Sequence, residues 1–270
     1  MVAYCDEGEG VSGIFALTPA ESKRLIAKAV VRLPEVKRAW ETGRIIVGNG
    51  STTGFVAAEL LGEDLPWFNY CAGLICDGML ASTRKEDRMR PFVFDKGQVV
   101  EGGSRDYVAE LKGGDVFIKS GNAVDLDGNV GVLVGDDKGG TIGTSIGIIA
   151  ARGIHLICPV GLEKLVPSVL DAAPKLGISK FKYAIGNPVG YIPVTIGKTI
   201  TEIQALEILT GVAATHVASG GLGGSEGAVV LVVEGDDQQV SRTMELVQEI
   251  KATTKNIEKL NPLAWHGVRR

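Results

Sequence analysis

The sequence has few cysteines, few prolines and no long apolar run, and each of these absences excludes a class of protein. Its four cysteines are scattered without a CxxC pair, so neither a disulfide framework nor a zinc site is expected. Only 10 of the 270 residues are proline and there is no Gly-X-Y period, which excludes collagen and Pro-rich disorder. The longest apolar stretch, 142–151, is too short to cross a bilayer and contains Gly143 and Gly147, so no membrane partner is expected.

Positive charge is not concentrated anywhere in the chain. Lysine and arginine total 28 against 32 acidic residues, and no basic run is longer than Arg269-Arg270, so no nucleic-acid partner is expected. The three histidines are separated and lack acidic partners at ligand spacing, which predicts no metal site. Asp6, Glu7 and Glu9 stand where a secretory signal would be basic and then apolar, so we expect a cytoplasmic protein.

Glycine, in contrast, is abundant, with 37 residues in the chain. This is about twice the average usage of ~7%. Without a fibrous repeat, the excess predicts tight turns and loops in which the backbone approaches another group closely. One concentration, five glycines within 219–227, exceeds what a hairpin turn needs. We expect this loop to be either a mobile flap over a pocket or an interface in a homo-oligomer.

The order of the predicted elements changes along the chain. Short apolar runs at 44–48, 115–119 and 154–158 alternate with helical segments, which predicts a three-layer α/β domain with a mainly parallel sheet over 1–186. Residues 187–251 follow the order β-α-β-β-α, which predicts a small α+β domain, ferredoxin-like without its last strand. Residues 252–270 are expected to form a C-terminal surface strap.

The segment between the first buried strand and the helix after it is the strongest local signal. Its loop contains two glycines, an asparagine and three consecutive hydroxyl residues, which are Gly48, Asn49, Gly50, Ser51, Thr52 and Thr53. Converging amides, hydroxyl donors and a helix N-terminus suit a phosphate or a carboxylate. The segment is neither a P-loop nor a GxGxxG fingerprint. The alternative is that the hydroxyls only cap the helix and the glycines only form the turn.

Three segments carry a resemblance to a known superfamily. IIVGNGSTTGFVAAELLG (45–62), DVFIKSGNAVDLDGNVGV (115–132) and GGTIGTSIGIIAARGIHLICPVGLEKLVPSVLDA (139–172) resemble the superfamily of ribose-5-phosphate isomerase, glucosamine-6-phosphate deaminase and CoA transferases. The last of them is nearest in pattern to lactate-utilisation (LUD) domains. The likeness extends over about residues 44–186. It implies a phosphorylated, carboxylated or CoA-linked small-molecule ligand, and CoA is the one cofactor that it leaves open.

The chain departs from the patterns of this superfamily at its reactive groups. The isomerases use a Glu after a Gly-rich turn, and the corresponding segment here, 143–147, contains no acid. Asp125 and Asp127 are the candidate catalytic carboxylates, although both also suit a turn. Glu226 is the candidate for the nucleophilic Glu of CoA transferases, although a solvated loop charge is the alternative. Further ligand-binding candidates are the polar side chains of Lys119, Asn122 and Lys138.

Two functions from different classes remain open from the sequence. The first is an isomerase or transferase in which residues 48–53 hold the anion while Asp125, Asp127 and Lys138 line the reacting end. The second is a non-catalytic ligand-binding or structural assembly protein that has lost the catalytic carboxylate. The resemblance alone does not choose between them, because this fold supports several chemistries.

Overall fold

The computed structural model describes residues 10–254, and the backbone of residues 265–266. The described α-helices are α1 (Pro19–Val30), α2 (Pro34–Thr42), α3 (Ser51–Leu61), α4 (Ser104–Tyr107), α5 (Gly140–Arg152), α6 (Val169–Ala172), α7 (Glu202–Thr210) and α8 (Asp237–Thr253). The described strands are β1 (Val11–Leu17), β2 (Arg44–Val47), β3 (Gly73–Cys76), β4 (Met79–Thr83), β5 (Phe92–Asp95), β6 (Gln98–Val99), β7 (Val116–Ile118), β8 (Ala123–Val124), β9 (Val130–Val134), β10 (His155–Pro159), β11 (Gly190–Val194), β12 (Lys198–Ile200), β13 (Ala213–Gly220), β14 (Ala228–Gly235) and β15 (Trp265–His266).

The largest sheet has six strands in the order β12-β10-β7-β2-β5-β6. Strands β2, β7, β10 and β12 are parallel, while β5 and β6 add an antiparallel hairpin at one edge. Helices and mixed sheets with a parallel section confirm the predicted α/β class. The helices within the described range are all too short or too polar to span a membrane.

The parallel strands are short apolar runs because both of their faces are buried. On β2 the side chains of Ile45 and Val47 join the core that also contains Ile118. Ile46, between them, points to the opposite face and joins a second core with Phe117. Parallel strands covered on both faces are expected to be continuously apolar, which is why these runs are visible in the sequence.

A second sheet joins the two ends of the described chain. Its order is β1-β14-β13 and both pairings are antiparallel, with Leu17 opposite Val229. The sequence did not predict β1, whose burial alternates between Phe15 and Leu17 inside and Ile14 outside. The strand expected at 191–196 forms as β11, but it does not belong to this sheet, because it pairs with β9.

The pairing of β11 with β9 brings a tyrosine over a glycine. Tyr191 lies directly over Gly131, and a Cβ atom at position 131 would overlap the tyrosine hydroxyl. Any other residue at this position would push the tyrosine away. The glycine on β9 therefore leaves the room that the tyrosine of β11 occupies.

Several element boundaries differ from the prediction for local reasons. The strand expected from 69 begins only at Gly73, because Trp67 to Tyr70 form a turn. The helix expected after Thr199 begins at Glu202 with Thr201 as its N-cap, because Lys198–Ile200 pair with β10 as β12. Of the predicted strap, most lies outside the described residues, and its Trp265–His266 pairs with β4.

Candidate functional site

The four parallel strands end at one edge of the large sheet, and polar loops begin there. The hydrogen-bond ladder continues past the strands, with the amide of Gly48 donating to Ile118 O at 2.8 Å and that of Lys119 to Ile157 O at 2.9 Å. Val160, after β10, donates to Ile200 O at 3.0 Å. Parallel sheets bind ligands outside this carboxyl edge, so the residues that follow each strand are the candidates for a site.

The loops after β2 and β7 cross at two glycines. A Cβ atom on Gly48 would lie 3.0 Å from Cδ of Lys119, and one on Gly50 would overlap the Ser120 hydroxyl. The amide of Gly50 donates to Tyr70 O at 3.1 Å, which holds the loop in place. Glycine is therefore needed at 50 so that the serine of the neighbouring loop can pass over the backbone, and Gly48 leaves room for the stem of Lys119.

Lys119 is half-buried in this crossing. Its ammonium donates to the carbonyl of Asn49 at 2.7 Å, and none of the carboxylates in the described range lies within ion-pair distance of it. Desolvation lowers the pKa of Lys119 to about 8, against an opposite influence of the buried thiols Cys71 and Cys158. The ammonium group of Lys119 is therefore bound mainly to one backbone carbonyl, and a nearby negative charge would stabilise its charged form.

Lys164, in the turn after β10, is the second half-buried lysine. Its Nζ donates to the carbonyl of Gly121 at 3.0 Å, and no described carboxylate forms a salt bridge with it. Desolvation and then the nearby Lys23 lower its pKa to about 8, while Glu163 opposes this and Lys119 adds to it. The loops after the adjacent strands β7 and β10 therefore each carry a half-buried lysine whose ammonium donates to a backbone carbonyl.

Lys23 and Glu163 form an ion pair beside them. Their side chains are 9% and 13% exposed, the N–O distance is 2.8 Å, and Lys23 also donates to Pro19 O. This pair connects α1 with the turn after β10. The glycine-rich loop reaches the same place, because a Cβ on Gly227 would lie 3.6 Å from Glu163 Oε2. We call Lys23, Lys119, Lys164 and Glu163 the lysine cluster.

Glu202, the first residue of α7, lies fully buried near the lysine cluster. Its Oε2 accepts a hydrogen bond from the amide of Leu162 at 2.9 Å. Its Oε1 and the hydroxyl of Ser22 are both buried, and neither has a hydrogen-bond partner among the described residues. Desolvation raises the pKa of Glu202 and outweighs the hydrogen bond from Leu162, which acts to lower it. The net effect favours the neutral acid.

Two helix N-termini face the same edge. Helix α3 starts at Ser51 directly after the loop, and the start of α5 is close, since a Cβ on Gly48 would lie 4.0 Å from Thr141 Cγ2. The hydroxyl of Thr52 is buried without a partner in the described part of the chain. Helix N-termini carry partial positive charge, so they add to the field of the two lysines.

The structure brings some of the predicted site residues together and leaves others apart. The loop 48–53 and Lys119 meet at the lysine cluster. Four other candidates are exposed, namely Asn122, Asp127, Lys138 and Glu226. Of these, Asn122 accepts from the amide of Leu133 at 3.0 Å and Glu226 from that of Gly224 at 2.9 Å, which are local contacts of a hairpin and a loop.

Asp125 is buried, and its carboxylate is occupied by structural hydrogen bonds. It accepts from the amide and the side chain of Asn129 at 2.9 and 3.1 Å, and from the amide of Val169 at 2.9 Å. Burial acts to raise the pKa of Asp125, but these bonds outweigh it and hold the pKa below its usual value. The side chain fixes the 125–129 turn to the start of α6.

Sequence reasoning missed Lys23, Glu163, Lys164 and Glu202. A usable signal was present for two of them, because Glu163 and Lys164 follow a buried strand just as Lys119 does. No local signal points to Lys23, which lies on a helix 140 residues away from its partner. A charged residue inside an amphipathic helix is normally assigned to the solvent face.

Two surface cavities lie away from the cluster. The larger, of about 450 Å³, is lined by Leu33, Lys198 and Ile208 among others, and the second, of about 290 Å³, lies beside Trp40. Neither is lined by a member of the lysine cluster. Both are open depressions with ordinary surface charges, so the chemistry of the described residues favours the lysine cluster.

Comparison of the chain with protein-family models, with curated proteins and with solved structures gave no match. The resemblance to the isomerase and CoA-transferase superfamily therefore stays a prediction. Within residues 10–254, no group of three or more His, Cys, Asp and Glu side chains is arranged to hold a metal ion. The lysine cluster and its loops are the basis on which a function can be inferred.

Proposed function

We propose that this protein binds a small anionic molecule, phosphorylated, carboxylated or CoA-linked, at the lysine cluster. The observation that carries the proposal is the excess of positive charge. Lys23 has a carboxylate partner in Glu163, whereas Lys119 and Lys164 donate to backbone carbonyls and form no described salt bridge. An incompletely paired charge is costly to bury, and an anion placed between the two ammonium groups would offset that cost.

The surrounding backbone supports the same ligand class. The 48–53 loop supplies amides and hydroxyls, and α3 and α5 begin at this edge. Lysine binds phosphate as a point charge and tolerates varied ligand shapes. CoA would meet these requirements through its phosphates, as would a sugar phosphate through its single phosphate, and a carboxylate would use one ammonium and the loop amides.

The two functions left open by the sequence differ in whether a carboxylate acts on the ligand. Asp125 has its hydrogen-bonding capacity occupied by Asn129 and Val169. Asp127 and Glu226 are exposed and make no described contact with the lysine cluster. These placements favour ligand binding without a catalytic carboxylate over an isomerase or transferase that depends on one.

We also propose the finer architecture expected from the sequence, with one modification. The two cores on opposite faces of the six-stranded sheet support a three-layer arrangement. A ferredoxin-like unit is supported if β1, not β11, is the strand that completes the sheet of β13 and β14. Residues 11–17 would then belong with the unit that the sequence places at 187–251.

The binding proposal is tested by calorimetric titration with inorganic phosphate, ribose 5-phosphate and acetyl-CoA at constant ionic strength. We expect saturable binding of at least one of them by the wild-type protein. Lys119→Gln and Lys164→Gln should each weaken it at least about tenfold, the equivalent of ~1.4 kcal/mol. Lys85→Gln, which removes an exposed lysine, is the matched control.

Two outcomes would contradict the proposal. One is the absence of saturable binding of all three anions by protein whose circular dichroism spectrum is that of a folded α/β chain. The other is an equal loss of affinity in the Lys85→Gln control, which would assign the effect to overall charge. A loss confined to the two cluster variants supports the site.

A further inference from the structure

We infer that two copies of this chain dimerise by stacking the outer faces of their β1-β14-β13 sheets. The outer face is formed by nine side chains that the strand register sets in three rows. These rows are Ser12, Glu234 and Ala213, then Ile14, Val232 and Thr215, and then Ala16, Val230 and Ala218. The inference is independent of the proposed function, because the outer face contains no member of the lysine cluster.

The central strand of this sheet has the composition of a strand that is covered on both faces. Residues 228–233 of β14 are continuously apolar. The side chains of Val229, Leu231 and Val233 are fully buried and account for one face. An antiparallel sheet whose second face meets water is expected to alternate apolar with polar residues, yet positions 230 and 232 are both valine. The sequence of β14 therefore predicts a partner for the outer face.

Within residues 10–254, the outer face is left uncovered. Helix α8 packs on the other face of the sheet, where a Cβ atom on Gly13 would lie 3.1 Å from Sδ of Met244. On the outer face, Ile14 is 64% exposed. Neither Ile14 nor Val230 nor Val232 belongs to the two cores formed by the described residues. The partner that β14 predicts must therefore come from outside this part of the chain.

The composition of the outer face favours a second copy of the chain as that partner. Glu234 is the one charged residue among the nine, and most of the others are alanine or β-branched. Interfaces between different proteins are commonly selected by charge, whereas homodimer interfaces are more apolar and depleted of charge. A second copy also brings an equally flat apolar sheet, and two such sheets can pack face to face about 10 Å apart.

The position of Glu234 decides how the two sheets are oriented. A closed dimer needs a two-fold axis between the sheets. An axis along the strands would stack Glu234, on the central strand, over the same residue of the second copy, and like charges opposed across an interface are unfavourable. An axis across the strands, through the row of Ile14 and Val232, places each Glu234 over the opposite end of β14. In that arrangement Ile14 lies beside Ile14 of the second copy.

The size of the outer face predicts a weak dimer. Strands of seven and eight residues, three abreast, give a footprint of about 350 Å² per copy, to which protruding side chains add. Two such faces lie at the low end of specific protein–protein interfaces. We therefore expect a dissociation constant of roughly 1–100 µM.

The test is sedimentation equilibrium of the full chain across this concentration range. We expect the average mass of the wild-type protein to rise from that of one chain toward that of two. Ile14→Glu and Ile14→Lys should each weaken the dimer at least about tenfold, because each puts two like charges beside the axis. Val99→Glu, at a valine of β6 that is 51% exposed, is the matched control and should leave the dimer unchanged.

Mixing the two charged variants identifies the second copy as the occupant. Ile14→Glu and Ile14→Lys, each mainly monomeric alone, should associate when mixed, because the charges beside the axis are then opposite. Circular dichroism checks that each variant is folded. If a charged variant does not fold, Ile14→Ser removes the apolar side chain without adding charge and should weaken the dimer at least about threefold.

Three results would overturn the inference. A wild-type protein that stays monomeric over the whole concentration range would show that something other than a second copy covers the outer face. A dimer that the Ile14 variants leave unchanged would form through another surface. A mixture of the two charged variants that associates no better than either alone would exclude the axis across the strands, and with it this dimer.

Discussion

The ammonium of Lys119 donates a 2.7 Å hydrogen bond to the backbone carbonyl of Asn49, so the loops after two adjacent parallel strands are joined by a lysine. Such a bond satisfies one of the three donors of the ammonium group and neutralises none of its charge. The same is true of Lys164 and Gly121. A fold that places two such lysines at the carboxyl edge of its sheet gives up stability there, as binding sites commonly do.

Replacing Lys164 by methionine should raise the stability of the free protein at pH 7. An apolar group of similar length avoids the desolvation of an incompletely paired charge, and the expected gain in the free energy of unfolding is of order 1 kcal/mol. Urea denaturation measures it. Lys85→Met, at an exposed position, should change stability by less than about 0.5 kcal/mol.

The same substitution has a predictable dependence on pH. Desolvation and Lys23 place the folded-state pKa of Lys164 at about 8, below its value in the unfolded chain, so the folded state binds fewer protons between the two values. Wild-type stability should therefore rise from pH 8 to pH 10, and that of Lys164→Met should rise less. A larger rise in the variant would contradict the lowered pKa.

Glu202→Gln should stabilise the protein at alkaline pH. Desolvation raises the pKa of Glu202 in the folded state, so the wild-type protein loses stability as the pH rises from about 4.5 through the folded-state value. Glutamine keeps an acceptor for the amide of Leu162 and removes that loss. We expect a gain of order 1–2 kcal/mol at pH 8 and less at pH 4.5.

Urea denaturation at the two pH values measures this difference. Glu207→Gln, on an exposed position of the same helix, is the control and should show no such change between them. A Glu202→Gln variant that is less stable than wild type at pH 8 would mean that the carboxylate is ionised and paired in the folded protein.

Gly50→Ala should destabilise the protein because its Cβ would overlap the Ser120 hydroxyl. We expect a loss of about 1–3 kcal/mol, measured by thermal unfolding. The double variant Gly50→Ala/Ser120→Gly removes the clash and should recover part of the loss. Gly147→Ala, in α5 with no atom near the added methyl, should instead stabilise by about 0.5–1 kcal/mol.

Asp125→Asn should lower stability and leave anion affinity unchanged. The carboxylate accepts from Asn129 and Val169, and its lowered pKa means that these bonds contribute above the unfolded-state pKa and are lost as the pH falls through the folded-state value. We expect a loss of about 1–3 kcal/mol at pH 7. Asp127→Asn, on the exposed side of the turn, should be nearly neutral.

The opposite result would assign Asp125 to ligand binding, a role different from the catalytic one that the sequence predicted for it. If Asp125→Asn abolished phosphate binding while its unfolding curve matched that of wild type, the carboxylate would belong to the ligand site. Calorimetry and urea denaturation on the same preparation distinguish the two roles.

The parallel strands, and the loop that follows the first of them, could be predicted from local residue patterns. Runs such as Ile45 to Val47 and Val116 to Ile118 are continuously apolar because both faces of the sheet are covered, a local consequence of a global arrangement. The polar residues just after such runs, Asn49 and Lys119, could be recognised as candidates for the same reason. A buried strand and the polar loop after it both leave a pattern in residues that are neighbours in the sequence.

The contacts between residues far apart in the chain depend on how the whole chain packs. Leu17 pairs with Val229, and Lys23 with Glu163, across separations that local patterns do not encode. The sequence indicates that Glu202 is an ordinary acidic residue in the first turn of a helix. In the structure, α1 and the turn after β10 pack against it and bury it completely. Side-chain charge is a property of the residue, whereas its desolvation and its partners depend on how the chain packs, and that packing creates the lysine cluster.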